Sequence, residues 1–156
     1  MDHNTFATQD GSKIKVAIVR ARFNEEITLG LLNGAIEALH EAGVTDDRIK
    51  TVEVPGSFEI IHAANVLAKQ AEYDAILCLG CIIRGSTKHD EYLANAVYSA
   101  MKDIMIAHTV PVVAAVLTVN DKQQAEERSG PGAMNRGAEA AKVALEMTNP
   151  NLFGGL

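Results

Sequence analysis

Tryptophan is absent from this chain of 156 residues, and cysteine, proline and aromatic residues are scarce. There are two cysteines, four prolines and 4% aromatic residues. The longest apolar run, residues 75–83, is far shorter than the ~20 residues that a membrane-spanning helix needs. A four-cysteine zinc site needs two CxxC pairs, and this chain has only one. We therefore expect neither a membrane segment nor a bound metal ion.

Basic residues are outnumbered, with 14 Lys and Arg against 20 Asp and Glu and a net charge of −6 at pH 7. This balance argues against nucleic acid or an anionic membrane as the partner. The first thirteen residues are polar and lack the apolar core of a signal peptide, so we expect a cytoplasmic protein. The length and the 47% apolar content predict one domain over residues 1–156, with loose tails at 1–13 and 149–156.

The two cysteines, Cys78 and Cys81, both lie within the longest apolar run. This run is typical of a strand, and residues three apart in a strand point to opposite faces of the sheet. We therefore predict two buried, inert thiols rather than a redox pair.

Strand-like and helix-like segments alternate along the chain. The predicted strands are residues 15–21, 50–54, 75–83 and 111–118. The predicted helices are residues 24–43, 57–70, a segment from about 88, 121–128 and 133–147. This alternation is typical of a parallel sheet with helices on both faces. We predict a flavodoxin-like three-layer α/β/α sandwich with four parallel strands, whose ligands bind beyond the carboxyl ends of the strands.

Residues 80–92 carry the most chemical information. The apolar run ends at Arg84, a small polar turn of Gly85, Ser86 and Thr87 follows, and His89 opens the next helix. Backbone N–H groups at a helix start lack intrahelical partners and favour anions such as phosphate. Histidine can transfer a proton near neutral pH. The segment therefore indicates an enzyme that acts on a phosphorylated substrate.

Two of the scarce aromatic residues, Phe23 and Phe58, fall in loops that follow predicted strands. Stacking against a planar ring system would explain this placement, although we expect Phe58 to belong at least partly to the core. The chain lacks the GxGxxG and GxxxxGK[ST] motifs, so neither a dinucleotide fingerprint nor a Walker loop is present.

Six motifs, spread over roughly residues 15–148, together resemble the lumazine synthase family and occur in that family's order. They are ARFN (21–24), VPGSFE (54–59), IRGSTKH (83–89), VLT (116–118), ERSG (127–130) and NRGAEAA (135–141). The resemblance implies condensation of 5-amino-6-ribitylamino-pyrimidinedione with 3,4-dihydroxy-2-butanone 4-phosphate. The product is 6,7-dimethyl-8-ribityllumazine, the penultimate compound of riboflavin biosynthesis, and the reaction uses no cofactor.

The resemblance also implies roles for individual residues. His89 would be catalytic and would transfer protons. The residues expected at the pyrimidine and its ribityl chain are Phe23, Gly56, Ser57, Phe58, Glu59, Ile82, Ile83 and Ala114. Those expected at the phosphate are Gly85, Ser86, Thr87 and Arg128, the last from a neighbouring subunit.

Three positions depart from the family's usual pattern. Asp90 and Ala114 stand where aromatic residues are common, and Arg136 replaces a common lysine. Less stacking surface predicts weaker pyrimidine binding than in typical members. Asp90 next to His89 is expected to favour the imidazolium form.

The resemblance implies an assembly of pentamers, in some members closed into a 60-subunit shell, with active sites between subunits and riboflavin synthase as a further partner. A non-catalytic flavin- or lumazine-binding protein and a shell-forming protein on the same fold are alternatives. A flavodoxin-type electron carrier is less favoured, since the loop after its first strand binds phosphate. Here residues 22–26 are bulky and acidic.

Overall fold

Four parallel strands form one sheet in the order β2-β1-β3-β4. The structure, a computed structural model, describes residues 9–154. Its strands are β1 (Val16–Ala21), β2 (Ile49–Val54), β3 (Ala75–Ile83) and β4 (Val112–Val119). Its helices are α1 (Glu25–Glu41), α2 (Ile60–Gln70), α3 (His89–His108), α4 (Lys122–Ser129) and α5 (Arg136–Met147). The predicted α/β class and four-stranded parallel sheet are confirmed.

The two central strands are buried on both faces. All six residues of β1 are buried, as are the first eight of β3, and burial on both faces explains the continuous apolar sequence of β3. β3 pairs with β1 from Ala75 to Leu79 and with β4 from Ile76 to Ile83. β3 therefore extends beyond the last residue at which β1 can pair with it.

The core lies in two layers, one on each face of the sheet. One layer joins the sheet to α1, α4 and α5, and it includes Ile18, Leu31, Leu39, Leu77 and Leu145. The other joins the sheet to α2 and α3, and it includes Val19, Ile60, Ile76, Val97 and Met101. Each such side chain contributes about 1.5–3 kcal/mol when fully buried. The three-layer arrangement thus follows from apolar residues on both sides of the central strands.

Close contact between α1 and α5 depends on a glycine and a buried asparagine. A Cβ atom at Gly137 would collide with the carbonyl of Leu31. Asn135 accepts from the Ala138 amide through Oδ1 (3.0 Å), and its Nδ2 lies 2.9 Å from the Ser129 carbonyl oxygen. This capping explains why α5 begins at Arg136 and not at the predicted residue 133.

Cys78 and Cys81 lie in opposite core layers, as predicted. Both are buried free thiols. Burial raises the pKa of Cys78 to about 12 and that of Cys81 to about 11. Since the thiolate is the reactive form, both remain protonated and inert at neutral pH.

The predicted loose tails fall partly outside the described residues, at 1–8 and 155–156. Within the described part, Gly11 is buried and donates its N–H to the Ala42 carbonyl (2.7 Å). Asn149 donates through Nδ2 to Oε1 of Gln9 (3.0 Å), which links the two ends of the chain. None of the helices within residues 9–154 is long and apolar enough to span a membrane.

A buried arginine lies in the central strand β1. Arg20 is 1% exposed, and its Nη2 is 2.6 Å from Oε1 of Glu53 in β2. Its Nη1 donates to Oγ1 of Thr28 in α1 (3.1 Å), and its Nε has no hydrogen-bond partner. The hydrogen bond and the positive charge of Arg20 lower the pKa of Glu53. The ion pair links β1 to β2, and the Thr28 hydrogen bond links β1 to α1, both close to the carboxyl ends of the strands.

We expect Glu53→Gln to lower the thermal midpoint of unfolding at neutral pH, because the buried Arg20 guanidinium loses its nearer carboxylate and keeps only the exposed Glu25 carboxylate at 3.7 Å. The Glu53 pKa is depressed in the folded state, so its stabilising contribution is complete above the ordinary value of 4.5. That contribution is lost as the pH falls through the lowered folded-state pKa. The thermal midpoints of the wild type and of Glu53→Gln should therefore differ at neutral pH, and this difference should disappear as the pH is lowered.

Glu126→Gln is the matched control, because Glu126 pairs with Lys122 (3.4 Å) on the surface of α4. Exposed pairs contribute little, so this variant should stay close to the wild type across the pH range. If the midpoint of Glu53→Gln differs from that of the wild type by the same amount at every pH, the stabilising role of the Arg20–Glu53 ion pair is contradicted.

Candidate active site

A cavity of about 680 Å³ opens beyond the carboxyl ends of β1, β2 and β3. Three loops that are distant in sequence form it together with the first turns of α3. Eight of its lining residues are predicted site residues: Phe23, Gly56, Ser57, Phe58, Glu59, Ile82, Ile83 and His89. The parallel sheet therefore brings most of the predicted pyrimidine residues and the candidate catalytic histidine around one space.

Backbone and side-chain bonds hold the β1–α1 loop against both neighbouring strands. Phe23 donates its N–H to the Pro55 carbonyl (3.0 Å), and Arg22 donates to the Val54 carbonyl (2.8 Å). On the other side, Asn24 donates through Nδ2 to the Cys81 carbonyl (3.0 Å). The Phe23 ring remains 70% exposed at the cavity. The loop thus presents a free aromatic face on a well-bonded backbone.

The β2–α2 loop forms a second wall. Ser57 is buried, and a Cβ atom at Gly80 would approach its Oγ to 2.7 Å, so the glycine in β3 makes room for the serine. Phe58 is 58% exposed, and the expectation that it belongs partly to the core is wrong. Helix α2 begins at Ile60, three residues after the predicted start. Phe58 therefore lies on the loop, and its ring lines the cavity instead of packing into the core layer between the sheet and α2.

The β3–α3 loop carries the predicted phosphate residues. Arg84 donates its N–H to the Val119 carbonyl (2.8 Å), which ties the end of β3 to β4. Gly85, Ser86 and Thr87 are exposed, and Thr87 Oγ1 accepts from the N–H of His89 (3.3 Å). Helix α3 begins at His89, so its free N–H groups face this turn. The turn therefore lies at the positive end of α3, next to the His89 side chain.

Asp90 connects this cavity to a neighbouring one. It is half-buried and lines both the main cavity and a cavity of about 370 Å³ whose walls include Arg84, Thr87 and Lys88. Adjacent residues on a helix point in different directions, so Asp90 is poorly placed to orient His89. Its influence on the imidazole stays a prediction.

Residues that the sequence analysis missed also line the main cavity. They are Cys81, Tyr92, Leu93 and Ala96, and Asp90, which the sequence analysis had associated with the site, lines the cavity as well. Tyr92 and Ala96 follow His89 by three and seven residues, a spacing that places all three on one helix face. This spacing is visible in the sequence and would have identified them once the helix start was fixed. Within residues 9–154, no three His, Cys, Asp or Glu side chains come together as a metal-binding group.

Ala114 and Arg128 lie apart from the other predicted site residues. Both line a different cavity, of about 260 Å³, beside the edge strand β4. Arg128 donates through Nη1 to the Gln124 carbonyl (3.0 Å), and Arg136 pairs with Glu139 (2.5 Å) in the same cavity. A single chain therefore does not bring Ala114 or Arg128 to the cavity of His89.

Comparison with known proteins agrees with the motifs. The family model described as 6,7-dimethyl-8-ribityllumazine synthase matches residues 13–151. A 6,7-dimethyl-8-ribityllumazine synthase of Yersinia pestis (strain Pestoides F) is 49% identical over 136 residues, covering 86% of this chain and 87% of that protein. The enzyme of the same name from Yersinia pseudotuberculosis serotype O:1b (strain IP 31758) matches to the same extent. The resemblance inferred from six short motifs is confirmed, and the chain belongs to the 6,7-dimethyl-8-ribityllumazine synthase family.

Proposed function

We propose that this protein condenses 5-amino-6-ribitylamino-pyrimidinedione with 3,4-dihydroxy-2-butanone 4-phosphate to give 6,7-dimethyl-8-ribityllumazine and phosphate. Family membership supports this reaction. The structural observation that carries it is the single cavity shared by Phe23, the 56–59 loop and His89. The reaction is the penultimate step of riboflavin biosynthesis, and we place it in the cytoplasm.

The phosphate of the butanone substrate would bind at the turn before α3. Gly85, Ser86 and Thr87 offer backbone N–H groups at the positive end of a helix of 20 residues, and two of them add hydroxyl groups. A Cβ atom at Gly85 would meet nothing within 4 Å, so the space next to this residue is open. This binding would leave the reacting carbons beside His89.

The pyrimidine would occupy the part of the cavity nearest β1 and β2. Phe23 would stack on its ring, with the neighbouring Phe58 ring enclosing it. The backbone of Gly56, Ser57, Ile82 and Ile83 would bond the edges of the ring, and the Glu59 carboxylate would accept from ribityl hydroxyls. Holding the two substrates side by side turns their encounter into a reaction within one complex.

His89 would then move protons between the bound substrates. The 5-amino nitrogen attacks the butanone carbonyl, and loss of water gives an imine. A proton leaves the carbon next to the imine as the carbon–oxygen bond to phosphate breaks. The enol that phosphate loss leaves then takes up a proton at its terminal carbon and releases the hydroxyl proton, which creates a new ketone. The ribitylamino nitrogen attacks this ketone, and loss of a second water closes the second ring. An imidazole can accept and return protons in each of these steps near neutral pH.

A second copy of the chain would complete the site. Ala114 and Arg128 line a cavity beside the edge strand β4, on a surface separate from the cavity of His89. We propose that this surface packs against the main cavity of a neighbour in a cyclic pentamer, so that Arg128 reaches the neighbour's phosphate. A guanidinium suits a two-pronged grip on phosphate.

We expect His89→Ala to lower kcat for lumazine formation by about 10²–10⁴-fold, the usual contribution of a general acid–base group. The measurement is the appearance of lumazine fluorescence from the two substrates. His108→Ala is the matched control, since His108 lies at the other end of α3 and contacts Asn65 (2.9 Å). A kcat for His89→Ala within threefold of the wild type would exclude this role.

We expect Ala114→Phe to lower the KM for the pyrimidine by about two- to tenfold, because an aromatic contact contributes ~0.5–1.5 kcal/mol. Steady-state kinetics with the butanone phosphate at saturation provide the measurement. Ala133→Phe adds the same ring on an exposed turn and should leave the KM unchanged. The expectation fails if the wild-type KM is equal to or lower than that of Ala114→Phe.

Mixing subunits tests the shared site. His89→Ala and Arg128→Ala subunits, each impaired alone, are unfolded, mixed in equal amounts and refolded together. If each site combines His89 of one copy with Arg128 of the next, roughly one quarter of the sites regain both residues. Lumazine formation should then rise to about a quarter of the wild-type rate. Activity equal to the mean of the two pure variants would show that one chain supplies both residues.

A further inference from the structure

Asn24 has an unusual backbone for the residue that precedes a helix. It adopts a left-handed conformation, with φ 59° and ψ 52°, and its side chain makes no capping bond to α1. Of the three non-glycine residues with positive φ in residues 9–154, the other two, Ala71 and Thr109, end helices. A residue in this conformation is held there by its surroundings, and the Asn24 side chain shows what holds it.

The side-chain amide of Asn24 replaces a backbone hydrogen-bond donor at the end of the β1–β3 pairing. β1 pairs with β3 no further than Arg20 opposite Leu79, while β3 continues to Ile83. Two residues beyond Leu79, the carbonyl of Cys81 accepts a hydrogen bond from Asn24 Nδ2 (3.0 Å). Carbonyls two apart in a strand point the same way, so the side chain supplies the donor that β1 no longer provides.

This bond and its neighbours fix the backbone on both sides of Phe23. The Phe23 N–H is held by the Pro55 carbonyl (3.0 Å) at the end of β2. The next residue, Asn24, is held by Cys81 at the end of β3. Because the Phe23 ring is largely exposed, these backbone anchors and not side-chain packing determine where the ring lies.

We infer that Asn24 is a positioning residue for the pyrimidine site: its bond to Cys81 holds the Phe23 ring over the cavity. The inference rests on the proposed function and deepens it. Asparagine meets both requirements of this position, since it tolerates the left-handed conformation and carries an N–H donor. Aspartate would set a carboxylate against the Cys81 carbonyl, glycine would keep the conformation without the donor, and alanine would lack both.

The expected consequence is selective for one substrate. Phe23 and Asn24 lie on the β1–α1 loop, whereas the phosphate turn and His89 belong to the β3–α3 segment. A displaced Phe23 ring should weaken pyrimidine binding while leaving the phosphate turn and the proton transfers intact. A general loss of fold would instead affect every kinetic constant.

Steady-state kinetics of Asn24→Gly and Asn24→Asp test this selectivity. We expect the KM for the pyrimidine to rise about five- to tenfold, the size of one aromatic contact. The KM for the butanone phosphate and kcat at saturation should stay within about twofold of wild type. Calorimetric titration with the pyrimidine alone should show the same loss of affinity. Asn65→Ala, which removes an asparagine from the α2–α3 surface, should change none of these values.

A double-mutant cycle tests whether Asn24 acts through Phe23. In a Phe23→Ala background, Asn24→Gly should raise the pyrimidine KM by less than about twofold, because the ring it positions is already absent. Equal effects with and without the Phe23 ring would overturn the positioning role.

Hydrogen exchange provides a readout that does not depend on catalysis. The Phe23 amide bonds to Pro55, so losing the Asn24 anchor should speed its exchange about tenfold, while the Ala63 amide in α2 exchanges as before. Wild-type protein that makes no lumazine would contradict the proposed function, and the exchange result would still decide the role of Asn24. An Asn24→Gly protein with wild-type Phe23 exchange and pyrimidine affinity would overturn the inference.

Discussion

Parallel pairing of β1, β2 and β3 is the constraint on which the candidate site depends. Parallel strands must end at the same edge of the sheet, so the three loops that follow them meet there although they are about 25 or more residues apart in the sequence. The loop bonds reinforce this convergence, as Phe23 is tied to the end of β2 and Asn24 to the end of β3. The parallel direction of the strands thus brings the three loops together, and the side chains then line the cavity between them.

A charge buried in the sheet supports the same edge. Arg20 is the second-last residue of β1, just before the loop that carries Phe23, and it connects the β2 carboxylate Glu53 to Thr28 in α1. Burying a guanidinium is unfavourable unless it is paired, so the position of α1 and the end of β2 are coupled through this residue. The same strand therefore stabilises the fold and orients the start of the loop that carries Phe23.

The opposite edge of the sheet explains why one chain presents two separate surfaces. β4 is an edge strand, and the cavity beside it holds Ala114, Arg128 and Arg136. The main cavity instead holds His89 and the aromatic residues. In the proposed pentamer, each interface would join the β4 surface of one copy to the main cavity of the next and so complete one site.

The amino-acid sequence by itself determined the α/β class, the four parallel strands, the opposite faces of Cys78 and Cys81, the loop that carries Phe23 and the helix start that carries His89. Those features follow from local periodicity and from motifs within a few residues. Only the tertiary structure decided that Phe58 faces the cavity, that Arg20 is buried against Glu53 and that Asn24 bonds to Cys81 instead of capping α1. The partners in these pairs are 33 and 57 residues apart, and such contacts form only when the sheet brings distant segments together.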